Sequence, residues 1–333
     1  MNTRLLSVLI GLALLALAPM VATGFYLDLV VKIMVLAIFA LSLELLVGQT
    51  GLVCFGHAAF FGIAAYAAAL LSPQSQGASL WWLLPVSVLA AAAYALAVGA
   101  LSLRTKGIYF IMVTLAFAQM AYYVFHDTPF GGGTDGIYLY FKPEAKLFGT
   151  ALFDLEGKLT FYYFVLACLA ASFVLLALLL RSRFGRTLAG IKVNEQRLRA
   201  AGYKTYPYKL AAFVIAAAFA GLAGFLYALK DGYVNPEILS WHQSGAVLLM
   251  IILGGLGHLR GAVIGAIVFT LLQELYQSQA IFGAFAKHWQ LLLGLTIIAF
   301  VALLPHGLMG IGRQLAARRA RAATTATEGA DAR

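Results

Sequence analysis

Apolar residues in this sequence gather into long runs free of Asp, Glu, Lys and Arg, with short polar stretches between them. A charge at the centre of a bilayer costs about 2.5–3.5 kcal/mol or more, so charge-free runs of about 20 residues read as membrane crossings. The pattern predicts ten crossings. The first five are Leu5–Leu27, Leu29–Val47, Gly56–Leu71, Leu80–Leu103 and Gly107–His126. The others are Leu159–Leu180, Leu210–Leu229, a short Trp241–Leu253, Gly261–Tyr276 and Trp289–Leu304. Ser72-Pro73-Gln74-Ser75-Gln76-Gly77 is turn chemistry, and it divides the uncharged stretch between Glu44 and Arg104 into two helices. Near the start, Ala16-Leu17-Ala18 resembles a signal-peptidase site, but the apolar run continues past Pro19, which favours a retained first helix.

The basic residues set the orientation, because cytoplasmic loops collect Arg and Lys. With the N-terminus inside, seventeen of the 23 basic residues and all thirteen arginines face the cytoplasm. Asp127, Asp135, Glu144, Asp154, Glu156, Asp231 and Glu237 then fall outside, the first five in an external loop over 127–158. In this arrangement crossings two to five and seven to ten run in opposite senses. The expected fold is therefore all-α and polytopic, about ten transmembrane helices with inverted four-helix repeats and a pathway at the repeat interface.

Composition agrees. Of 333 residues, 62% are hydrophobic and 11% charged, against roughly 25% charged in soluble proteins, which leaves no material for a sizeable soluble domain. The net charge of +10 lies between apolar runs, so it reads as topology and no nucleic acid is implied. Cys54 and Cys168 lie in apolar segments without CxxC or Cys/His spacing, and the six histidines form no HExxH. Without a GxxxxGK[ST] loop the chain cannot hydrolyse ATP by itself. A transport protein with no cofactor, no metal and no catalytic residues is the expectation, rather than an enzyme.

Four features carry candidate chemistry. The segment from Gly48 to His57 is polar, glycine-rich and uncharged, and irregular backbone at membrane depth is tolerated only where it is buried or lines a wet cavity. It reads either as a tight turn or as the inner end of a substrate route, lined by Gln49, Thr50 and His57; Phe60, Thr114, Gln119 and Trp241 complete the candidate pathway. Glu44 and Glu274 are the carboxylates inside predicted crossings, placed near their ends where structural hydrogen bonding competes with ion coupling. Gly257, Gly261 and Gly265 recur every fourth residue and predict a smooth helix-packing ridge.

The fourth is Arg181–Lys209, with eight basic residues. Leu188, Ile191 and Leu198 fall on one helical face, Gly185 and Gly202 bracket it, and Arg186, Lys192, Arg197 and Arg199 flank it. Such an amphipathic helix either lies on lipid headgroups or docks a soluble partner.

Several ordered motifs resemble one family. They are Glu44-Leu45-Leu46-Val47-Gly48-Gln49-Thr50-Gly51-Leu52 with Phe55-Gly56-His57; Lys106-Gly107-Ile108-Tyr109-Phe110; Gly132-Gly133-Thr134-Asp135-Gly136; Arg183-Phe184-Gly185-Arg186 with Asn194-Glu195; Leu253-Gly254-Gly255-Leu256-Gly257; and Pro305-His306-Gly307-Leu308. From about Val30 to Gly310 the chain resembles the LivM-like permeases of branched-chain amino acid ABC importers. The resemblance implies a type II-like ABC importer permease in the bacterial inner membrane, with both termini cytoplasmic. Its partners would be a second, LivH-like permease subunit, two cytoplasmic ATP-binding subunits and a periplasmic substrate-binding protein. Residues 181–209 would be the coupling loop, contacting an ATPase through Phe184, Gly185, Arg186, Leu188, Ile191, Asn194, Glu195, Leu198 and Gly202. Residues 1–312 would form the permease domain, and 313–333 a disordered cytoplasmic tail. Related systems for urea, short amides or aromatic acids share these motifs, and an ion-coupled secondary transporter is the alternative from another class.

Overall fold

A computed structural model describes residues 11–20, 24–73, 75, 77–147, 150–304 and 307–310. The helices are α1 (Gly11–Met20), α2 (Phe25–Glu44), α3 (His57–Leu71), α4 (Leu80–Ser102), α5 (Ile108–Asp127), α6 (Lys158–Arg181) and α7 (Arg183–Ala200). They continue with α8 (Thr205–Asp231), α9 (Trp241–Gly254), α10 (Leu259–Gln277), the single turn α11 (Gln279–Phe282) and α12 (Trp289–Leu303). The expected tail lies outside the described residues.

Among the described residues, seven helical segments are long and apolar enough to cross a membrane: Phe25–Thr50, Leu80–Ser102, Ile108–Asp127, Lys158–Arg181, Thr205–Asp231, Leu259–Gln277 and Phe285–Gly310. Two expected crossings are shorter apolar helices, His57–Leu71 and Trp241–Gly254, and of the first expected crossing the described part is the apolar helix Gly11–Met20. At 1.5 Å per residue, 15 and 14 residues in α3 and α9 give only about 21–23 Å, less than the hydrocarbon thickness of about 30 Å. Irregular backbone must complete such a crossing, and it is tolerated there only inside protein.

The chain divides into two compact units, Met1–Leu248 and Leu249–Arg333. At the centre of the first, α8 packs on α2, α3 and α4. It does so because one side of α8 is built of small residues: Ala212, Ala216, Ala217, Ala220, Gly221, Ala223, Gly224 and Ala228 are all buried. Gly224 lies directly against the Phe61 carbonyl of α3, and Gly221 against Ala91 and Ala64. Small residues bring helix backbones close where apolar lipid provides little driving force for association. Against α6, α1 is tied by the Tyr162 hydroxyl, which donates to the Leu15 carbonyl at 2.6 Å. That carbonyl would normally receive the amide four residues on, and Pro19 has none.

The loop after α5 is more ordered than a flexible glycine run. Gly132, Gly133 and Gly136 adopt φ of 73°, 60° and 69°, a region that disfavours side chains. The turn they make lets β1 (Ile137–Tyr138) pair antiparallel with β4 (Tyr233–Val234), while β2 (Ala145–Leu147) pairs with β3 (Thr150–Phe153). Tyr233 seals the turn by donating to the Asp135 carbonyl at 2.7 Å.

Within the second unit α10 packs on α12. Gly265 lies against the Met250 carbonyl, and Gly254 and Gly261 face each other. The glycine ridge therefore starts later than its spacing suggested. Gly257 precedes α10 and sits in the intervening turn at φ 86°.

Candidate functional site

Helix α2 is buried almost continuously from Val31 to Glu44, then loosens into a π-turn, Leu45–Thr50. The amides of Gly51 and Leu52 both turn back to the Leu46 carbonyl, and the Thr50 hydroxyl also donates there. Gly51, at φ 74°, then reverses the chain. In a continuing α-helix the Gly48 carbonyl would receive the Leu52 amide, and here that amide is taken by Leu46. The missing donor comes from α7: Lys192 Nζ donates to Gly48 O at 2.7 Å. Its methylene stem lies over Gly51, where an added Cβ would come 3.3 Å from Lys192 Cγ. On the other side of the turn, a Cβ on Gly48 would overlap the Glu44 carboxylate. A side chain at Gly48 would have to displace that carboxylate.

Past the turn, Gly51–Gly56 runs as irregular backbone into α3, whose first residue, His57, is fully buried. His57 Nε2 and Ser42 Oγ are 2.8 Å apart. The imidazole stacks on Phe39 with centroids 5.5 Å apart, and meets Phe60 edge-on at 5.6 Å. Phe60 in turn packs edge-on against Phe213 of α8 at 5.3 Å. The N-cap of α3 is Gly56, which has no capping side chain, so Ser244 of α9 accepts the Ala58 amide at 2.9 Å in its place. Gly56 itself presses against the Thr114 carbonyl of α5, and the Cys54 thiol is in hydrogen-bonding reach of Thr114.

Helix α7 is two segments. Asn194 interrupts it with extended backbone (φ −160°, ψ 98°), and its side chain accepts the Arg197 amide at 2.9 Å, capping the second segment. The first segment is capped by Ser182, which accepts from the Gly185 amide. Gly185 lies inside the helix, pressed against the Leu179–Leu180 backbone of α6, so it allows a close crossing and does not break the helix. Gly202 ends the second segment at φ 88°, with Tyr203 N bonded to Leu198 O and Gly202 N to Arg199 O, the Schellman pattern.

Both segments are anchored to the membrane helices. Leu188 and Ile191 are 0% and 6% exposed, Leu198 folds back on Gly190, and Phe184 stacks on Tyr208 at 5.8 Å. Glu195 Oε1 accepts from Arg199 at 2.6 Å, Thr205 at 2.8 Å and Lys209 at 2.9 Å. Partial burial alone would raise the Glu195 pKa, but the Lys209 and Thr205 hydrogen bonds, the Lys209 charge and the Arg199 bond outweigh it and hold it at about 2 against an ordinary 4.5. The depressed value means that the cluster's contribution is complete above about pH 4.5 and is lost only as pH falls toward about 2. Beside it, Arg183, Arg186, Thr187, Leu198, Tyr203 and Tyr208 line a cleft of about 540 Å³.

The family model described as "Branched-chain amino acid transport system / permease component" matches residues 25–301. This chain belongs to that family. The permease is similar to the "High-affinity branched-chain amino acid transport system permease protein LivM" of Escherichia coli (strain K12), 31% identical over 92% of this chain and 75% of that protein. It is 30% identical, over the same shares, to the protein of that name in Salmonella typhimurium (strain LT2). No solved structure matches the chain. It is thus a multi-pass membrane permease, a transport subunit and not itself an enzyme. Among the described residues no group of three or more His, Cys, Asp or Glu is placed to hold a metal ion.

In this permease the expected pathway residues fall into one cluster and two outliers. Thr50, His57, Phe60 and Thr114 are all buried in the region just described, with Gln49 half-buried on the π-turn. Gln119 is half-buried further along α5. Trp241, 47% exposed, opens α9 stacked on His242 at 3.9 Å. Two expectations about α7 change. Leu188 and Ile191 face their own chain and not a partner, because an apolar helix face is satisfied as well by α6 and α8 as by another protein. Glu195 is likewise spent internally. Sequence reasoning also missed Lys192, Lys209, Ser42 and Ser244. Asn194 carried a usable signal, since Asn followed by Glu is strong helix-start chemistry.

Proposed function

We propose that this chain is the translocation subunit of an ABC importer for branched-chain amino acids in the bacterial inner membrane, with both termini cytoplasmic. It acts with a second permease subunit, two cytoplasmic ATPases and a periplasmic binding protein. The substrate reading rests on the family description and on the printed function of the relatives. The route runs past Gln49, Thr50, His57, Phe60, Thr114, Gln119 and Trp241, residues without formal charge, suited to a substrate that must be released and not held. Residues 1–312 make up the permease region, with 127–158 external. The order long, short, long, long occurs twice among its helices, at Phe25–Ile108 and Thr205–Phe285 starts, which supports an inverted repeat.

The observation that carries coupling is the form of α7: a basic, kinked helix whose apolar side is fixed to its own membrane helices and whose other side is open. Movement imposed on the open side is then transmitted to the bundle. The exposed positions of α7 include Arg186, Val193, Gln196 and Arg197, and Val193, at 83% exposure beside the Asn194 kink, is its exposed large apolar residue. The cleft rimmed by Arg183 and Arg186 suits a carboxylate of the ATPase.

A central apolar anchor of an interface contributes about 2 kcal/mol or more when truncated. Val193→Asp is therefore expected to detach the ATPase in co-purification while the amount of permease in the membrane stays unchanged. Ile191→Asp, which buries a charge within the chain, lowers the amount of permease itself. ATPase retained at wild-type stoichiometry by Val193→Asp would remove α7 from the interface.

A further inference from the structure

We infer that Lys192 is a positioning residue that joins the coupling helix to the π-turn, so that displacement of α7 is delivered to the irregular segment leading into α3. The inference rests on the reading of α7 as the ATPase contact, and it adds the route by which that contact reaches the transport pathway.

Three observations converge on this side chain. Its ammonium supplies the one donor that the Gly48 carbonyl lost when the Leu52 amide turned back to Leu46. Its stem covers Gly51, the positive-φ residue at which the chain reverses. Gly48, whose carbonyl it holds, lies against the Glu44 carboxylate on its other side, so side chains contact the turn from both sides. Single π-turns in helices are rare, and those that occur are frequent at functional sites. A charge-assisted hydrogen bond is about twice as strong as a neutral one, so it can carry a displacement of α7 to the turn.

Position matters as much as chemistry. Lys192 directly follows Ile191, which is buried, and directly precedes exposed Val193 and the Asn194 kink. One turn of backbone thus carries the anchor, the link and the partner-facing residue. Positive-inside charge alone requires none of this, since it fixes the side of the membrane and sets no hydrogen-bond partner for the ammonium.

The test uses the assembled complex with its ATPases and binding protein in vesicles, comparing wild type, Lys192→Met and Lys192→Arg. Methionine keeps the stem and removes the donor. Two readouts are taken: amide hydrogen exchange over 45–54, and labelled leucine uptake per ATP hydrolysed. Lys192→Met should raise exchange in the π-turn and lower uptake per ATP about tenfold, the scale of one lost hydrogen bond to a charged group. ATPase stoichiometry should stay at the wild-type value, and Lys192→Arg should restore both readouts. Unchanged exchange, uptake per ATP within about twofold of wild type, or loss of the ATPase in Lys192→Met would each overturn the inference. If wild-type vesicles show no ATP-driven uptake, the importer reading fails, and the exchange measurement still decides whether Lys192 holds the turn.

Discussion

Gly224→Leu is expected to prevent the permease from folding. A Cβ at this position of α8 would lie inside the Phe61 carbonyl of α3, with the Phe61 Cα only 3.1 Å away. The obstacle is backbone, so no rotamer change relieves it, and α8 would have to withdraw from its contact with α3. Because α8 also packs on α2 and α4, that withdrawal opens the whole first unit. Overpacking commonly costs 1–3 kcal/mol, and here about 3 kcal/mol or more is expected, a large share of a total of roughly 5–15. Gly294→Ala on α12 is the control, since an added Cβ meets nothing within 4 Å there. The measurement is the yield of monodisperse protein after detergent extraction, together with its melting temperature. Equal yields and melting temperatures for the two variants would show that α8 and α3 do not meet through this glycine.

Glu195→Ala should carry the second-largest cost. Lys209 has a side chain 6% exposed and is placed 2.9 Å from Glu195, whose own side chain is 23% exposed. Removing the carboxylate strands a buried ammonium, and breaking a buried pair this way costs about 3–5 kcal/mol. The reciprocal change is milder. In Lys209→Met the carboxylate keeps Arg199 and Thr205 as donors, and the new side chain suits an apolar site. The expected order of destabilisation is Glu195→Ala well above Lys209→Met, with the loss located at the junction of α7 and α8. Limited proteolysis between Arg197 and Lys204 would report it. A Lys209→Met variant cleaved as fast as Glu195→Ala would mean that the pair acts only as a pair and that Lys209 is not the stranded partner.

Much of the fold is legible in the sequence, for a simple reason. Lipid tolerates few charges, so the ends of charge-free runs and the ends of apolar helices nearly coincide, as at Leu80–Leu103 against Leu80–Ser102. Gly56 and Trp241 likewise mark the starts of the two short helices. What could not be read is what apolar content and charge leave unspecified. Leu45–Val47 looks like more of α2 and Gly48-Gln49-Thr50 like irregular backbone, and neither pattern says that the six residues close as a π-turn. Amphipathicity says that Leu188 and Ile191 share a face, and cannot say whether their own chain or a partner covers it. Lys192 looks like one more inside-facing cation among eight, and its bond to Gly48 spans 144 residues of sequence. The two glycines that bracket the amphipathic stretch proved to be of two kinds: Gly202 ends a helix, whereas Gly185 permits backbones to touch. Their local sequence does not separate these roles, because the constraint comes from the neighbouring helix.

The central claim is that this permease moves a branched-chain amino acid by coupling to ATP hydrolysed in partner subunits. Its most direct test is labelled leucine uptake by vesicles holding the complete complex, supplied with binding protein and with ATP on the ATPase side. Uptake is expected to require ATP and the binding protein together, and to persist when ionophores collapse proton and sodium gradients. Uptake that runs without ATP and disappears with those gradients would contradict the account.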